Sequence, residues 1–358
     1  MVTVVSFLIV LSILVLAHEL GHFVVGRWAG ARIEEFALGF PPRLWSIRRG
    51  ETDYSVNAIP LGGYVRFAGE DNPDVSGGLS SLPRLKRALV LVAGVTMNIV
   101  LAIAIFAAIF ATGYPTAVAI DGIKVTDIVQ GAPADLAGLK AGDVVVAANG
   151  SDVKDTNGFS ATVRSLNGQE IALLIKHADG SQETLRMSPR QTWPQGEGPL
   201  GVTIRQNSVT EKRSYGLAQA LWMGAQQTWR VTELTFSIPM MIIRGLLPVE
   251  LARPVGPLGV ARIVGSAAET IPTNGFAMMF ELMAFLSVNL AVVNILPLPG
   301  LDGGRLLFVL LEGLRGGKRI NPRREAIIHF TGLMLLMGMI LVITFFDIVS
   351  PANVNFGP

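Results

Sequence analysis

The sequence contains no cysteine. That excludes disulfides, thiolate metal sites and a cysteine nucleophile, and it leaves the redox compartment open. Charge is also scarce: Asp, Glu, Lys and Arg make up 16% of the residues and the net charge is +2. No basic run interleaved with aromatic residues is present, so no nucleic-acid partner is expected. What abounds is apolar. Hydrophobic residues are 50% of the 358-residue chain and the mean hydropathy is +0.49, which points to an integral membrane protein. The sequence pI near 9.0 fits basic loops beside a bilayer.

A spanning helix needs about 20 mostly apolar residues. Val2 to about Val25, Ala88 to Thr112 and Phe276 to Leu298 qualify, and Ala326 to Phe346, ahead of a polar tail, makes a fourth. The first run has the length of a signal peptide, but it lacks a basic n-region and a small-residue cleavage pattern. Between the first two spans, "ETDYSVNAIPLGGYVRF" alternates and is broken by Pro60 and Gly62-Gly63, which reads as a β-hairpin or two short strands. From Tyr114 to about Gln206 the chain turns charged and Gly-punctuated, the mark of a separate water-soluble domain of about 90 residues. Ser214 to Leu247 is apolar but carries Gln226, Gln227, Arg230, Glu233 and Arg244, which suits an interfacial amphipathic helix.

The first span ends in a chemical anomaly, His18-Glu19-Leu20-Gly21-His22. Ionisable groups inside a span cost about 2.5–3.5 kcal/mol each on insertion scales, so they mark function. On a helix, H-E-x-x-H sets two imidazoles on one face for a metal ion and a glutamate beside them for a water. Such a centre performs metal-assisted hydrolysis, with Glu19 moving the proton. A third ligand must come from elsewhere. The remaining histidines are His177, in the soluble domain, and His329, in the last span. Asp302, in "NILPLPGLDGGRL", is favoured over both. Broken backbone at membrane depth is tolerated only when it is buried in protein or lines a wet cavity.

If His18, His22 and Asp302 share one ion, the first and third spans cross in the same direction. Ser214 to Leu247 then stays on one side, being too short to cross twice. Arg84, Lys86, Arg87, Lys318, Arg319, Arg323 and Arg324 flank spans on the side that the positive-inside rule makes cytoplasmic. The soluble domain and both termini are then extracytoplasmic, and the location is the cell (inner or plasma) membrane.

HELGH, the distant "NILPLPGLDGG" and the soluble domain between them resemble the site-2 protease family of intramembrane zinc metalloproteases, in its bacterial RseP/RasP branch. The resemblance implies that His18, His22 and Asp302 are zinc ligands, Glu19 is the catalytic glutamate and Asn294 bonds the substrate backbone. "GVTMN" keeps Gly94 and Asn98 of a second-span family motif but has Val95 where proline is usual, and Asn98 is carried over as substrate-binding. "GGYVRFAGE" resembles the membrane-associated β element that holds an unwound substrate, implying a role for Gly62, Gly63 and Tyr64 by strand addition. "GAPADLAGLKAGDVVVAANG" is similar to the core of a PDZ domain, present here in a single copy, with a peptide ligand or a size-filtering role implied.

The expected fold is a polytopic α-helical membrane protein with four transmembrane helices, a β-rich extracytoplasmic PDZ-like domain and a membrane-associated β-hairpin. The expected divisions are 1–113 for the first two spans and their loop, 114–206 for the PDZ-like domain, 207–272 for peripheral helices and linker, and 273–358 for the last two spans. The expected function is zinc-dependent cleavage of transmembrane segments, such as pre-cut anti-sigma factors or remnant signal peptides. A catalytically silent PDZ-bearing scaffold is the rival, and a metal carrier would need further ligands along a path.

Overall fold

A computed structural model describes residues 1–70, 75–166, 168–194, 197–246 and 255–350; the polar tail from 351 lies outside the described residues. The chain falls into two compact units, Met1–Gly113 joined with Ser214–Pro358, and Tyr114–Arg213.

The first unit opens with α1 (Val2–Ala29), which runs past the expected end near Val25. Arg27 sits in its last turn, where a cation suits the helix C-terminus. Gly30, at φ +88, closes it in the left-handed conformation that glycine adopts without strain. Two long strands follow, β1 (Ile33–Arg49) and β2 (Thr52–Phe67). They make more than the expected hairpin, because β1 residues 35–38 pair with β2 on both sides: Leu38 opposes Gly63 and also Val56. Arg43–Arg49 then pairs with Thr52–Asn57, so four segments lie in the order 43–49, 52–57, 33–38, 63–67. Pro41-Pro42 and Pro60 fall where the chain passes between segments, since proline cannot donate to a ladder. Glu35, 1% exposed, braces this sheet by accepting from Ser55 at 2.7 Å and pairing with Arg66 at 2.8 Å and with Arg43. The chain then enters α2 (Arg84–Thr112).

The second unit comprises β3 (Tyr114–Ile128), α3 (Pro133–Leu136), β4 (Val144–Ala148), β5 (Ser151–Asp152), α4 (Thr156–Ser165), β6 (Ile171–Lys176), β7 (Gln182–Met187) and β8 (Val202–Arg213). Its sheet order is β7-β6-β4-β3-β8, with β5 beside β4. Ile123, Val125, Val145, Ile171, Leu173 and Ile175 form its buried centre, with Phe159 of α4 packed on them. Tyr114 opposes Arg213 across β3 and β8, so the unit begins and ends at one point and its last strand runs past Gln206.

On this unit His177 Nδ1 lies 2.9 Å from Asp143 Oδ1 and Nε2 lies 3.4 Å from Glu183. The Asp143 hydrogen bond first, and then Glu183, raise the imidazole pKa above its ordinary value. A raised folded-state pKa means that the pair's stabilisation is complete below about pH 6.5 and is lost as pH rises through the folded value. Melting of this unit in wild type and His177→Gln should therefore differ at pH 6 and converge toward pH 9. A gap that stays constant with pH would contradict the assignment.

The first unit resumes with α5 (Leu217–Ile243), α6 (Pro257–Glu269), α7 (Ile271–Asn274), α8 (Ala277–Ile295), α9 (Asp302–Leu314) and α10 (Pro322–Val349). Among the described residues, four helices are long and apolar enough to cross a membrane: α1, α2, α8 and α10. The charged and amide-bearing α5 is outside that set. It buries Ala220, Gly224, Thr228 and Val231 and packs on α2, where Gly224 faces the Ile103 carbonyl and Ala107. Asp347 of α10 is buried and accepts from the backbone N–H of Gly259 at 2.9 Å and of Gly256 at 3.4 Å. It thereby supplies α6 with the N-cap that Gly256 cannot.

Candidate metal centre

Helical spacing puts His18 and His22 on one face of α1, with ring centroids 4.8 Å apart and planes at 81°. Both are 7% exposed. Asp302 arrives from a different kind of local structure. After α8 the chain turns tightly, with Leu298 N–H donating to the Leu296 carbonyl at 2.7 Å and Leu301 N–H to the Leu298 carbonyl at 3.2 Å. Gly303 and Gly304 pack straight onto the Ile295, Leu296 and Leu298 carbonyls, where a Cβ has no room. Asp302 opens α9 from this turn. His329 of α10, the weighed alternative as third ligand, accepts instead from the Gly300 N–H at 3.1 Å and so holds the turn.

The three side chains converge. His18 Nε2 lies 2.9 Å from Asp302 Oδ2, His22 Nε2 lies 3.2 Å from the same oxygen, and the two Nε2 atoms are 3.1 Å apart. Zinc bonds of about 2.0–2.1 Å in a tetrahedron put neighbouring donors about 3.3 Å apart, so the spacing fits one ion. The chemistry fits as well. His22 Nδ1 sits 2.8 Å from the Val90 carbonyl, which can only accept, so the ring proton is on Nδ1 and Nε2 presents a lone pair. Among the described residues this is the one group of three His, Cys, Asp or Glu placed to hold a metal ion. The Asp302 side chain, 21% exposed against 9% and 10% for the histidines, is the most open of the three.

Glu19, on the same helix, accepts from the Val65 backbone N–H at 3.0 Å, so the last segment of the sheet, 63–67, lies against the centre. Gly62, at φ +112, rests on Val15 of α1, where a Cβ would come within 3.0 Å of that side chain. Ser12 Oγ donates to the Pro60 carbonyl at 3.3 Å. Gly63 and Tyr64 belong to the paired segment, with the Tyr64 ring stacked on Phe40 at 6.0 Å. Asn294, half-buried in the last turn of α8, makes no side-chain hydrogen bond among the described residues. Asn98 is fully buried, with its amide 3.3 Å from His18 Nδ1, the nitrogen turned away from Asp302.

Sequence reasoning missed the outer supports. Val90 serves through its carbonyl, so its side-chain type carries no signal. Arg305, one turn after Asp302, pairs with Glu70 beyond β2, and Glu312 of α9 pairs with Arg87 of α2 and with Arg319 at 3.4 Å. The Arg305–Glu70 and Arg87–Glu312 pairs, so far apart in sequence, could be suspected only as charges that recur beside apolar spans.

Two imidazoles, a carboxylate and a neighbouring glutamate, in a chain with four apolar helices of spanning length, define a membrane-embedded metalloprotease. Residues 6–339 match peptidase family M50. The chain is 34% identical to a putative zinc metalloprotease of Nostoc sp., over 94% of its own length and 93% of that protein's. It is 30% identical to the zinc metalloprotease RasP of Oceanobacillus iheyensis, over 97% and 99%. It is 28% identical to RasP of Geobacillus kaustophilus, over 97% of each. The chain belongs to peptidase family M50 and is a zinc metalloprotease of the site-2 protease type.

Proposed function

We propose that this protein is an intramembrane endopeptidase that cleaves transmembrane segments of membrane proteins, with His18, His22 and Asp302 holding its zinc and Glu19 as general base. The observation that carries the reading is the convergence of His18 Nε2, His22 Nε2 and Asp302 Oδ2 within 2.9–3.2 Å, beside Glu19.

When bound, zinc lowers the pKa of a water molecule and polarises the scissile carbonyl. Glu19 takes the proton of the attacking water at its carboxylate and delivers it to the leaving amide nitrogen. A transmembrane substrate is helical, and its carbonyls are satisfied internally, so a stretch must unwind first. The segment 63–67, preceded by Gly62, offers backbone groups for an added strand. The free amide of Asn294 bonds the substrate backbone and fixes its register. The unit Tyr114–Arg213 acts as a PDZ-like domain that admits pre-cut substrates by size or binds a peptide end. Pre-cut anti-sigma factors and remnant signal peptides are the substrate classes.

The basic residues Arg84, Lys86, Arg87, Lys318, Arg319, Arg323 and Arg324 support a cytoplasmic placement of their ends of the spans. The unit 114–213 and both termini then lie outside. A reporter active only outside the membrane, fused after Gln206, should be active; silence would reverse the topology.

The functional test uses the purified protein in detergent with a fusion carrying one transmembrane helix. Cleavage should occur within that helix, stop on addition of a zinc chelator and resume with added zinc. Cleavage that continues undiminished under chelation would sink the reading.

A further inference from the structure

We propose that Asn98 is a positioning residue that fixes the tautomer of His18, so that α2 supplies the partner that orients each of the two histidines; this rests on the reading of His18 and His22 as zinc ligands. A histidine binds metal through an unprotonated nitrogen, and the hydrogen bond at the other nitrogen decides which one that is. For His22 the Val90 carbonyl, 2.8 Å from Nδ1, makes the choice. His18 presents the same nitrogen to the Asn98 side chain at 3.3 Å.

Which end of that amide faces the ring decides the tautomer. With the NH2 toward the ring, Nδ1 accepts, and the His18 proton is forced onto Nε2, into the space between His22 Nε2 and Asp302. In that orientation the Asn98 Oδ1 is also buried with no hydrogen-bond partner among the described residues, an arrangement that native interiors avoid. A half-turn of the amide exchanges oxygen and nitrogen without changing the shape of the side chain. Oδ1 then accepts from Nδ1–H, and Nε2 turns its lone pair to the position where the other two donors meet.

The surrounding packing supports a fixed support more than a mobile contact. Asn98 is 0% exposed, and its own backbone carbonyl accepts from Ser287 Oγ of α8 at 2.8 Å. Val90, Gly94 and Asn98 are spaced four apart on one face of α2. Gly94 between them has no side chain, and both imidazoles occupy the space a Cβ would take. The spacing of glycine and asparagine in "GVTMN" then has a physical meaning: one residue admits the rings and the other orients one of them. Substrate has no access to an atom so enclosed.

The test compares zinc affinity of the full-length protein in detergent, by competition with a chromophoric chelator, for wild type, Asn98→Leu, Asn98→Ala and Asn98→Asp. Leu and Ala delete the acceptor, Ala without added bulk, and each should weaken zinc about 10- to 100-fold, the range for partners of metal ligands. Asp keeps the shape and an oxygen acceptor, and it should bind zinc within a few-fold of wild type. Unchanged affinity in Leu and Ala overturns the proposal. So does an Asp variant as weak as Leu, which would mean that only packing matters. A raised KM with unchanged zinc affinity would return Asn98 to the substrate. The underlying reading has its own control: if wild type and Asp302→Ala bind zinc alike, the ligand assignment fails instead.

Discussion

Replacing Glu19 by glutamine is expected to reduce cleavage of a transmembrane substrate by about 10²- to 10⁴-fold, the usual contribution of a general acid–base group, while leaving the zinc content at the wild-type level. The two halves of this expectation come from different contacts. Glu19 is outside the converging trio, so the donors His18 Nε2, His22 Nε2 and Asp302 Oδ2 are untouched. The substitution keeps the side chain's shape, and the amide oxygen can still accept from the Val65 N–H that the carboxylate now holds at 3.0 Å. What disappears is the capacity to take a proton from water. Cleavage rates of the single-helix fusion, measured beside zinc stoichiometry by elemental analysis, separate the outcomes. Equal cleavage by both proteins would place the base elsewhere. Loss of zinc with Glu19→Gln would mean that Glu19 supports the metal.

The parts of this molecule that are legible in its sequence are those in which physics leaves few options. Lipid demands long apolar helices, so α1, α2, α8 and α10 can be found from hydropathy, with errors only at their ends. The third span stops at Ile295 and not Leu298, because Pro297 disfavours helix at the residue before it. Ionisable residues inside a span are costly, so HELGH stands out; the broken backbone just after the third span singles out Asp302, and the structure brings together the three donors they nominate. The sheet is harder to read, because β1 residues 35–38 have partners on both sides and no alternation in one strand announces two neighbours. The interior of the helix bundle is harder still. The packed face of α5, with Ala220, Gly224, Thr228 and Val231, is a stripe of small and mixed residues that hydropathy reads only as a compromised span. The Asn98 contact with His18 depends on how α1 and α2 cross. That crossing is set by Gly21, whose missing Cβ would stand 2.7 Å from the Ala93 carbonyl carbon and 3.0 Å from Gly94 Cα. Close approach of backbones through small residues is how membrane helices associate, and a single sequence does not say which small residues meet.

That crossing sets the second large effect. Gly94→Ala is expected to weaken zinc binding about 10- to 100-fold and to lower proteolysis with it, although alanine is the better helix former by about 1 kcal/mol. A Cβ at position 94 would stand 2.7 Å from both Cε1 and Nε2 of His18 and would also meet the Nε2 of His22, so the added methyl lies where the donors face the metal. Neither ring can easily retreat: His22 is tied by its Nδ1 to the Val90 carbonyl at 2.8 Å, and His18 faces Asn98. Gly21 blocks the alternative of sliding the helices, since its own contact with Ala93 and Gly94 is already at backbone distance. Overpacking of this kind costs about 1–3 kcal/mol, and each 1.4 kcal/mol is a factor of ten in affinity. The control is Gly338→Ala in α10, where a Cβ would meet nothing within 4 Å; helix propensity then acts alone and zinc affinity should stay at the wild-type value. If Gly94→Ala binds zinc as tightly as Gly338→Ala, the imidazoles have room that this geometry denies them, and the account of Gly94 as the gap that admits both rings fails.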